Sequence, residues 1–150
     1  MKVTKRKILV IAIGTLAIWF YFLLPKPLFN AAYSTIVLSE EGDLLGARLA
    51  TDEQWRFPIP DSLPEKFKKA ILTKEDRYFR YHLGVNPVAL FRALWLNIKE
   101  GAVVSGASTI SMQVIRLSRN NPPRTVWEKM YEMLLATRLE LGYSKDHILN

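Results

Sequence analysis

The sequence contains no cysteine among its 150 residues, which excludes disulfides and cysteine-based metal or redox chemistry. It contains two histidines, His82 and His147, which argues against a histidine-rich metal site. It also lacks internal repeats and low-complexity segments. Since 49% of its residues are hydrophobic and 23% are charged, the chain is too apolar for a disordered tail and has the size of one ordinary domain.

Acidic residues are absent from the first 30 positions, which hold five cations, namely Lys2, Lys5, Arg6, Lys7 and Lys26. The remaining 120 residues hold 16 cations and 14 carboxylates, so their net charge is +2 of the total +7. A nucleic-acid-binding domain carries its basic excess on the folded part. We therefore expect no nucleic-acid partner.

Charged residues are also absent from Ile8–Leu24, a run of 17 residues that Pro25 and Pro27 follow. As a helix the run would be about 25 Å long, slightly shorter than the hydrocarbon core of a bilayer. Four cations precede it, which predicts a cytoplasmic tail at residues 1–7 and a membrane anchor at 8–24. The alternative is a cleaved signal peptide, but the run is longer and bulkier than such peptides usually are. In either case the rest of the chain would face the outside, which in a bacterium is the periplasm or cell surface.

After this segment, the sequence predicts a mainly α chain preceded by a short β-hairpin. Residues 30–60 hold two β-type runs around a Glu-Gly-Asp turn and a third at Trp55–Phe57, which favours a hairpin or meander that acts as a stalk. Residues 61–150 are predicted to be helical. The helix signals are a Ser62–Glu65 capping box, Asn86-Pro87 before a helix ending at Gly101, a helix over Thr109–Leu117, another over Arg124–Leu141, and Ser144 as a further cap.

Three polar clusters could carry chemistry. In residues 75–84 the carboxylate of Glu75 is a candidate acid or base, although Asp76 and Arg80 could simply pair on a solvated helix end. In residues 106–113 a helix start could bind an anion, although Ser108 could simply be an N-cap. Near residue 130, Glu128 and Glu132 repel on one helix face beside Lys129; these groups could bind a metal, a pyrophosphate or a proton, or form a solvated face.

Together, these clusters resemble the motifs of the peptidoglycan glycosyltransferase domain (family 51) of class A penicillin-binding proteins. The first motif is matched by Glu75, Asp76, Phe79, His82 and Gly84; the second by Gly106, Ser108, Thr109, Ile110 and Gln113; the third by Lys129 and Glu132; and the fourth by Lys145, Ile148 and Leu149. The resemblance covers about residues 34–150, and Met112 with the segment LLGARLATDEQWRFPI is most similar to the penicillin-binding protein 1C subgroup. Asn86 and Ser111 depart from the family pattern, and the chain ends inside the fourth motif, so we expect residues 61–150 to be an incomplete domain.

The resemblance implies a lysozyme-like helical fold that polymerises lipid II with inversion at the anomeric carbon. It implies that Glu75 is the general base, that Glu132 orients the donor as a second catalytic carboxylate, and that Lys129 and the Ser108-Thr109 helix start neutralise the leaving pyrophosphate. The other implied substrate-binding residues are Asp76, Phe79, His82, Gly84, Gly106 and Gln113. No cofactor is required, although Mg²⁺ or Mn²⁺ at Glu132 is allowed.

The implied partners are lipid II, the nascent glycan strand, the bilayer and other cell-wall synthesis proteins. The helix Val88–Glu100 could rest on the bilayer or could be an ordinary core helix. The implied location is the bacterial inner membrane, with one span and the catalytic part outside the cytoplasm. Two alternatives remain: a glycan-cleaving enzyme of lysozyme-like fold, and an inactive remnant that binds lipid II or partner proteins.

Overall fold

The computed structural model describes residues 5–30, 32–51, 53–57 and 63–150. The chain divides into two compact units, one formed by Met1–Leu28 with Pro64–Asn150 and the other by Phe29–Leu63. The first unit contains α1 (Lys5–Tyr21), α2 (Glu65–Glu75), a 3₁₀ turn (Phe79–Tyr81), α3 (Pro87–Glu100), α4 (Ile110–Ser118), α5 (Val126–Gly142) and α6 (Lys145–Leu149). The second contains β1 (Thr35–Leu38) and β2 (Leu44–Arg48). The predicted mainly α chain with a short hairpin is therefore confirmed.

The smaller unit is an antiparallel hairpin in which Thr35 pairs with Arg48. The turn between the strands contains Gly42 at φ +90°, a conformation that favours glycine. The predicted third strand at Trp55–Phe57 is wrong, because no strand forms in this segment. The Ser34 N–H donates to the Arg56 carbonyl at 2.8 Å, whereas the Arg56 N–H donates to the Ser34 hydroxyl at 2.9 Å. The Arg56 N–H is therefore bound by a side chain and not by the backbone carbonyl that a β-ladder would provide.

The core of the larger unit lies where α4 packs against α5. Each helix contributes apolar side chains at intervals of three or four residues, which place them on one face. Phe79 from the 3₁₀ turn fills the space beside them. The most deeply buried members are Phe79, Met112, Ile115, Leu135, Ala136 and Leu139.

Side-chain caps begin most of the helices that the structure describes. Asn86 Oδ1 accepts the Ala89 N–H at 3.0 Å, and Gly101 at φ +64° ends α3, so both ends of this helix are confirmed. Ser144 caps α6 as predicted. Ser108 is not the N-cap of α4, since Thr109 takes that place and its Oγ1 accepts the Met112 N–H at 3.2 Å. The predicted cap Ser62 lies outside the described residues, and α2 begins after Pro64.

Helix α1 has 17 residues, none of them buried, and it ends at Tyr21 rather than at Leu24. Within the ranges that the structure describes, no helix combines the length and apolarity needed to cross a bilayer. The end of α1 contacts α5, because Arg138 donates from Nε to the Tyr21 carbonyl at 3.1 Å and its guanidinium lies 4.8 Å from the centre of the Tyr21 ring. Leu24, just beyond, is buried in the core. These contacts fasten the end of the N-terminal helix to the helix that carries Lys129 and Glu132.

Candidate active site

Glu75 is the last residue of α2, and its side chain is exposed to solvent. The side-chain amide of Gln113, in the first turns of α4, donates from Nε2 to Glu75 Oε2 at 3.0 Å. One oxygen of the carboxylate is thereby held, while the other meets no hydrogen-bond donor among the described residues. An exposed carboxylate with one oxygen held is able to accept a proton from a bound hydroxyl group.

Asp76 follows Glu75 directly but is buried, and it holds the neighbouring segments together. His82 Nε2 donates to it, lying 3.0 Å from both carboxylate oxygens, and both side chains are at least 94% buried. Asp76 Oδ2 also accepts the Ile110 N–H at 3.2 Å, which places a negative charge at the N-terminus of α4. The alternative Asp76–Arg80 pair does not form, because Arg80 instead binds Asp146 at 2.8 Å.

Gly84 lies where the backbone after the 3₁₀ turn crosses α5. Its φ is +80°, and a Cβ atom there would come within 2.5 Å of the Ala136 carbonyl oxygen and 2.6 Å of the Thr137 nitrogen. The buried Thr109 hydroxyl donates to the Gly84 carbonyl at 2.5 Å. Phe79 belongs to the same core. The structure thus places these first-motif residues, and Thr109 of the second, inside the scaffold that supports Glu75.

Lys145 belongs to a second buried network beneath the same segment. Its Nζ lies 2.5 Å from Glu140 Oε2 and donates to the His82 carbonyl at 2.6 Å. The other oxygen of Glu140 accepts from the Ser111 hydroxyl. The network joins α4, α5 and α6 to the turn that carries His82. Sequence reasoning missed Glu140, because only the fold reveals that Ser111, 29 positions earlier, faces it.

A cluster of charges around Glu132 forms the other part of the site. The Glu132 side chain is 98% buried, with Arg116 Nη1 3.2 Å from Oε1 and Lys129 Nζ 3.4 Å from Oε2. Lys129 Nζ also donates to the Ser108 hydroxyl at 2.5 Å. Because two cations face one carboxylate, the cluster has a net charge of +1. Glu128, expected to repel Glu132, pairs instead with Arg119.

Arg116 is a site residue that the motif matches missed. It lies four residues after the buried Met112, so both are on one face of α4, and this spacing is the signal that could have found it. Its Nη2 is held by the Pro122 carbonyl at 2.8 Å. Gly106, by contrast, is exposed, and open space surrounds the position where its Cβ would be.

Helix α4 and the residue before its cap contact both parts of the site. Gln113 reaches Glu75, Arg116 reaches Glu132, and Ser108 reaches Lys129. The first three of the four motifs matched in the sequence are therefore joined through one short helix. Nowhere in the described ranges do three or more His, Asp or Glu side chains gather closely enough to share a metal ion.

A family model described as "Transglycosylase" matches residues 41–150. The chain belongs to the transglycosylase family. This confirms the resemblance drawn from the motifs, and the family's matched region contains every site residue described above.

Several penicillin-binding proteins are similar to this transglycosylase chain. Penicillin-binding protein 1C of Escherichia coli is 35% identical over 126 residues, which are 83% of this chain and 16% of that protein. Penicillin-binding protein 1B of Vibrio cholerae is 40% identical over 97 residues, 65% of this chain and 12% of that protein. Penicillin-binding protein 1A of Escherichia coli is 37% identical over 114 residues, 75% of this chain and 13% of that protein. The chain thus spans at most about a sixth of the length of these relatives.

Proposed function

We propose that this chain is part of a peptidoglycan glycosyltransferase that polymerises lipid II, with Glu75 as the general base. The observation that carries the proposal is the exposed Glu75 carboxylate, which Gln113 holds at 3.0 Å from α4, the helix that also reaches the cationic cluster. The family membership and the penicillin-binding relatives support the class of reaction. A lysozyme-like arrangement of the helices is part of the same proposal.

In the proposed step, the carboxylate of Glu75 removes the proton from the attacking hydroxyl of the acceptor sugar. The hydroxyl oxygen forms a bond to the anomeric carbon of the donor, while the bond from that carbon to the pyrophosphate oxygen breaks. The leaving pyrophosphate keeps the electron pair of that bond. Since the attack comes from the face opposite the leaving group, the configuration at the anomeric carbon inverts.

The leaving pyrophosphate requires charge neutralisation more than protonation, because it is already a stable anion. Lys129 and Arg116 supply two cations, and Ser108 adds a hydroxyl next to Lys129. Glu132 lies between the cations and fixes their positions, which avoids reorganisation when the negative charge develops. We assign the stabilisation of the leaving group to these three donors and a positioning role to Glu132.

A divalent cation at Glu132 does not fit this arrangement. Both carboxylate oxygens already face Arg116 or Lys129, and the described residues place no second carboxylate in the cluster. Carboxylate-rich oxygen cages are what Mg²⁺ and Mn²⁺ select. No step above therefore runs through a metal ion at Glu132.

We also propose that α1 anchors the chain in the inner membrane and that α3 rests on the outer surface of the same bilayer. Every residue of α1 is solvent-accessible although most are apolar, and an all-round apolar helix needs an apolar environment. On α3, Val88, Phe91, Trp95 and Ile98 share one face, and Phe91 and Trp95 are 71% and 69% exposed. The four cations that precede the uncharged run at residue 8 support a cytoplasmic N-terminus and a site outside the cytoplasm.

The test is polymerisation of labelled lipid II by the full chain in detergent micelles, compared between the parent chain, Glu75→Gln and Glu100→Gln. Glu75→Gln keeps the size of the side chain but cannot accept the proton, so its rate should fall at least about a hundredfold. Glu100→Gln removes the same charge from the exposed end of α3 and should retain the parent rate. Equal polymerisation by the parent and Glu75→Gln would show that the assigned base is wrong.

The same preparation separates the two alternative functions. A glycan-cleaving enzyme would release fragments from purified sacculi and would form no polymer from lipid II. A non-catalytic lipid II-binding protein would retain labelled lipid II without converting it. Either pattern would contradict the proposed polymerase.

A further inference from the structure

A basic groove runs along one side of α2, and its lining includes neither Glu75 nor the cations around Glu132. Its volume is about 520 Å³, within the usual range for small-ligand sites. It is bounded by α2, the segment around the 3₁₀ turn and the start of α6. The lining residues are Glu65, Lys66, Lys68, Lys69, Leu72, Thr73, Arg77, Arg80 and Asp146.

The groove has more positive charge than its carboxylates can balance. It contains five cations and two carboxylates, a net charge of +3. Lys68 lies 3.5 Å from Glu65, and Arg80 lies 2.8 Å from Asp146. Lys66, Lys69 and Arg77 have no carboxylate within 4.0 Å in the part of the chain that the structure describes. We call these three cations the groove triad.

The spacing of these residues on α2 explains why their charges meet. Lys66, Lys69 and Thr73 follow one another at intervals of three and four residues, which places them on one face of the helix. Arg77 continues the row just beyond the helix end. The Thr73 hydroxyl already donates to the Lys69 carbonyl at 2.7 Å, so the donors that remain available are those of the cations.

This concentration of charge is a local feature and not the average of the surface. Residues 64–150 hold 14 cations and eight carboxylates, a net charge of +6. The nine residues of the groove account for half of that excess. Like charges on neighbouring helical positions repel and destabilise a helix. A bound anion would relieve this repulsion between the cations of the groove triad.

We propose that the basic groove binds a phosphate group through the groove triad. Phosphate concentrates negative charge on several acceptor oxygens, and these match a planar guanidinium together with two flexible ammonium groups. The phosphate can belong to an anionic lipid headgroup or to a soluble phosphate compound, since both present the same chemistry. This site lies outside the machinery assigned to glycosyl transfer, and it stands or fails independently of the proposed function.

The test uses the full chain in micelles of a neutral detergent, with the side-chain resonances of lysine and arginine followed by NMR. One titration adds inorganic pyrophosphate, a second adds phosphatidylglycerol to the micelles, and a third adds phosphatidylcholine as the uncharged control. Saturable shifts of the groove-triad resonances are expected with pyrophosphate, phosphatidylglycerol or both. A response to pyrophosphate alone identifies a soluble ligand, and a response to phosphatidylglycerol alone identifies a lipid headgroup.

Two triple variants separate loss of the groove triad from loss of positive charge in general. Lys66→Gln/Lys69→Gln/Arg77→Gln removes the groove triad, so binding to this variant is followed through Lys68 and Arg80, which line the same groove. Its affinity for the responding probe should fall at least about tenfold. Lys74→Gln/Arg92→Gln/Lys99→Gln removes three exposed cations of α2 and α3 that do not line the groove, and its affinity should stay within about threefold.

The proposal is overturned if neither probe shifts the groove-triad resonances of the parent chain, or if both triple variants lose affinity equally. The titration of the parent chain decides the matter by itself if the first variant does not fold. Folding of both variants is checked by circular dichroism, and similar unfolding temperatures are expected because no buried contact is removed.

Discussion

The Gln113 amide lies 3.0 Å from Glu75 Oε2, which connects residues 38 positions apart in the sequence. The contact joins the end of α2 to the start of α4 and fixes the direction of an exposed carboxylate. A base whose position is already fixed loses less entropy when the acceptor arrives. We regard Gln113 as a positioning residue for Glu75.

Replacing Gln113 by alanine should lower kcat about tenfold and change KM less than threefold, because orientation of the base is lost while substrate contacts remain. The measurement is steady-state polymerisation of lipid II with the full chain in micelles. Gln54→Ala removes an exposed amide from the hairpin unit and serves as the control. A rise in KM with unchanged kcat would instead assign Gln113 to substrate binding.

Variants of the ion pair between Arg116 and the buried Glu132 can distinguish the effect of Arg116 on stability from its effect on catalysis. Arg116→Met leaves Glu132 with Lys129 as its one cationic partner in the described cluster, and should lower the free energy of unfolding by about 3 kcal/mol. Arg116→Met/Glu132→Met removes both partners and should recover most of that loss. Urea unfolding curves of the parent chain and of both variants give these free energies of unfolding.

Polymerisation should remain impaired in the double variant, because the cation that faces the pyrophosphate is still absent. A double variant that recovers activity together with stability would show that Arg116 supports the fold and takes no part in the reaction.

Gly84→Ala should destabilise the helical unit by at least about 3 kcal/mol. The new Cβ would overlap the Ala136 carbonyl oxygen, and φ of +80° is unfavourable for alanine. Gly106→Ala is the matched control, since it meets open space and should change stability by less than about 0.5 kcal/mol. Equal unfolding midpoints in urea for the two variants would contradict the packing of Gly84 against α5.

The apolar face of α3 predicts contact between Trp95 and lipid. A variant that keeps Trp95 and carries phenylalanine at positions 19, 55 and 127 reports on this side chain alone. Its fluorescence should be weaker in vesicles with brominated acyl chains than in vesicles without bromine. Iodide should quench it less in vesicles than in the absence of lipid. Unchanged emission with full access to iodide would mean that this face does not enter the bilayer.

Local features of the fold were predictable from the sequence, because they depend on neighbouring residues. Asn86, Pro87 and Gly101 set both ends of α3 through a side-chain cap, a fixed φ and a left-handed residue. Ser144 likewise begins α6. The motif matches also selected Glu75, Lys129 and Glu132, and the structure connects all three to α4 and the residue before its cap.

Pairing between distant residues was not predictable, because several partners are chemically equivalent until the chain folds. In the sequence Asp76 could equally have paired with Arg80 one turn away, but it binds His82 and the first amide of α4. Arg80 finds Asp146, 66 positions later. Ser108 was the candidate cap in the sequence, but Thr109 takes that place in the structure, where it is buried and also donates to Gly84.

The most direct test of the central claim measures binding and conversion of labelled lipid II in the same tube. Glu75→Gln should bind lipid II within about twofold of the parent chain and form no polymer. Lys129→Gln should bind at least about tenfold more weakly, because one cation of the cluster is gone. Polymer formation by Glu75→Gln at the parent rate would contradict the assignment of Glu75 as the base.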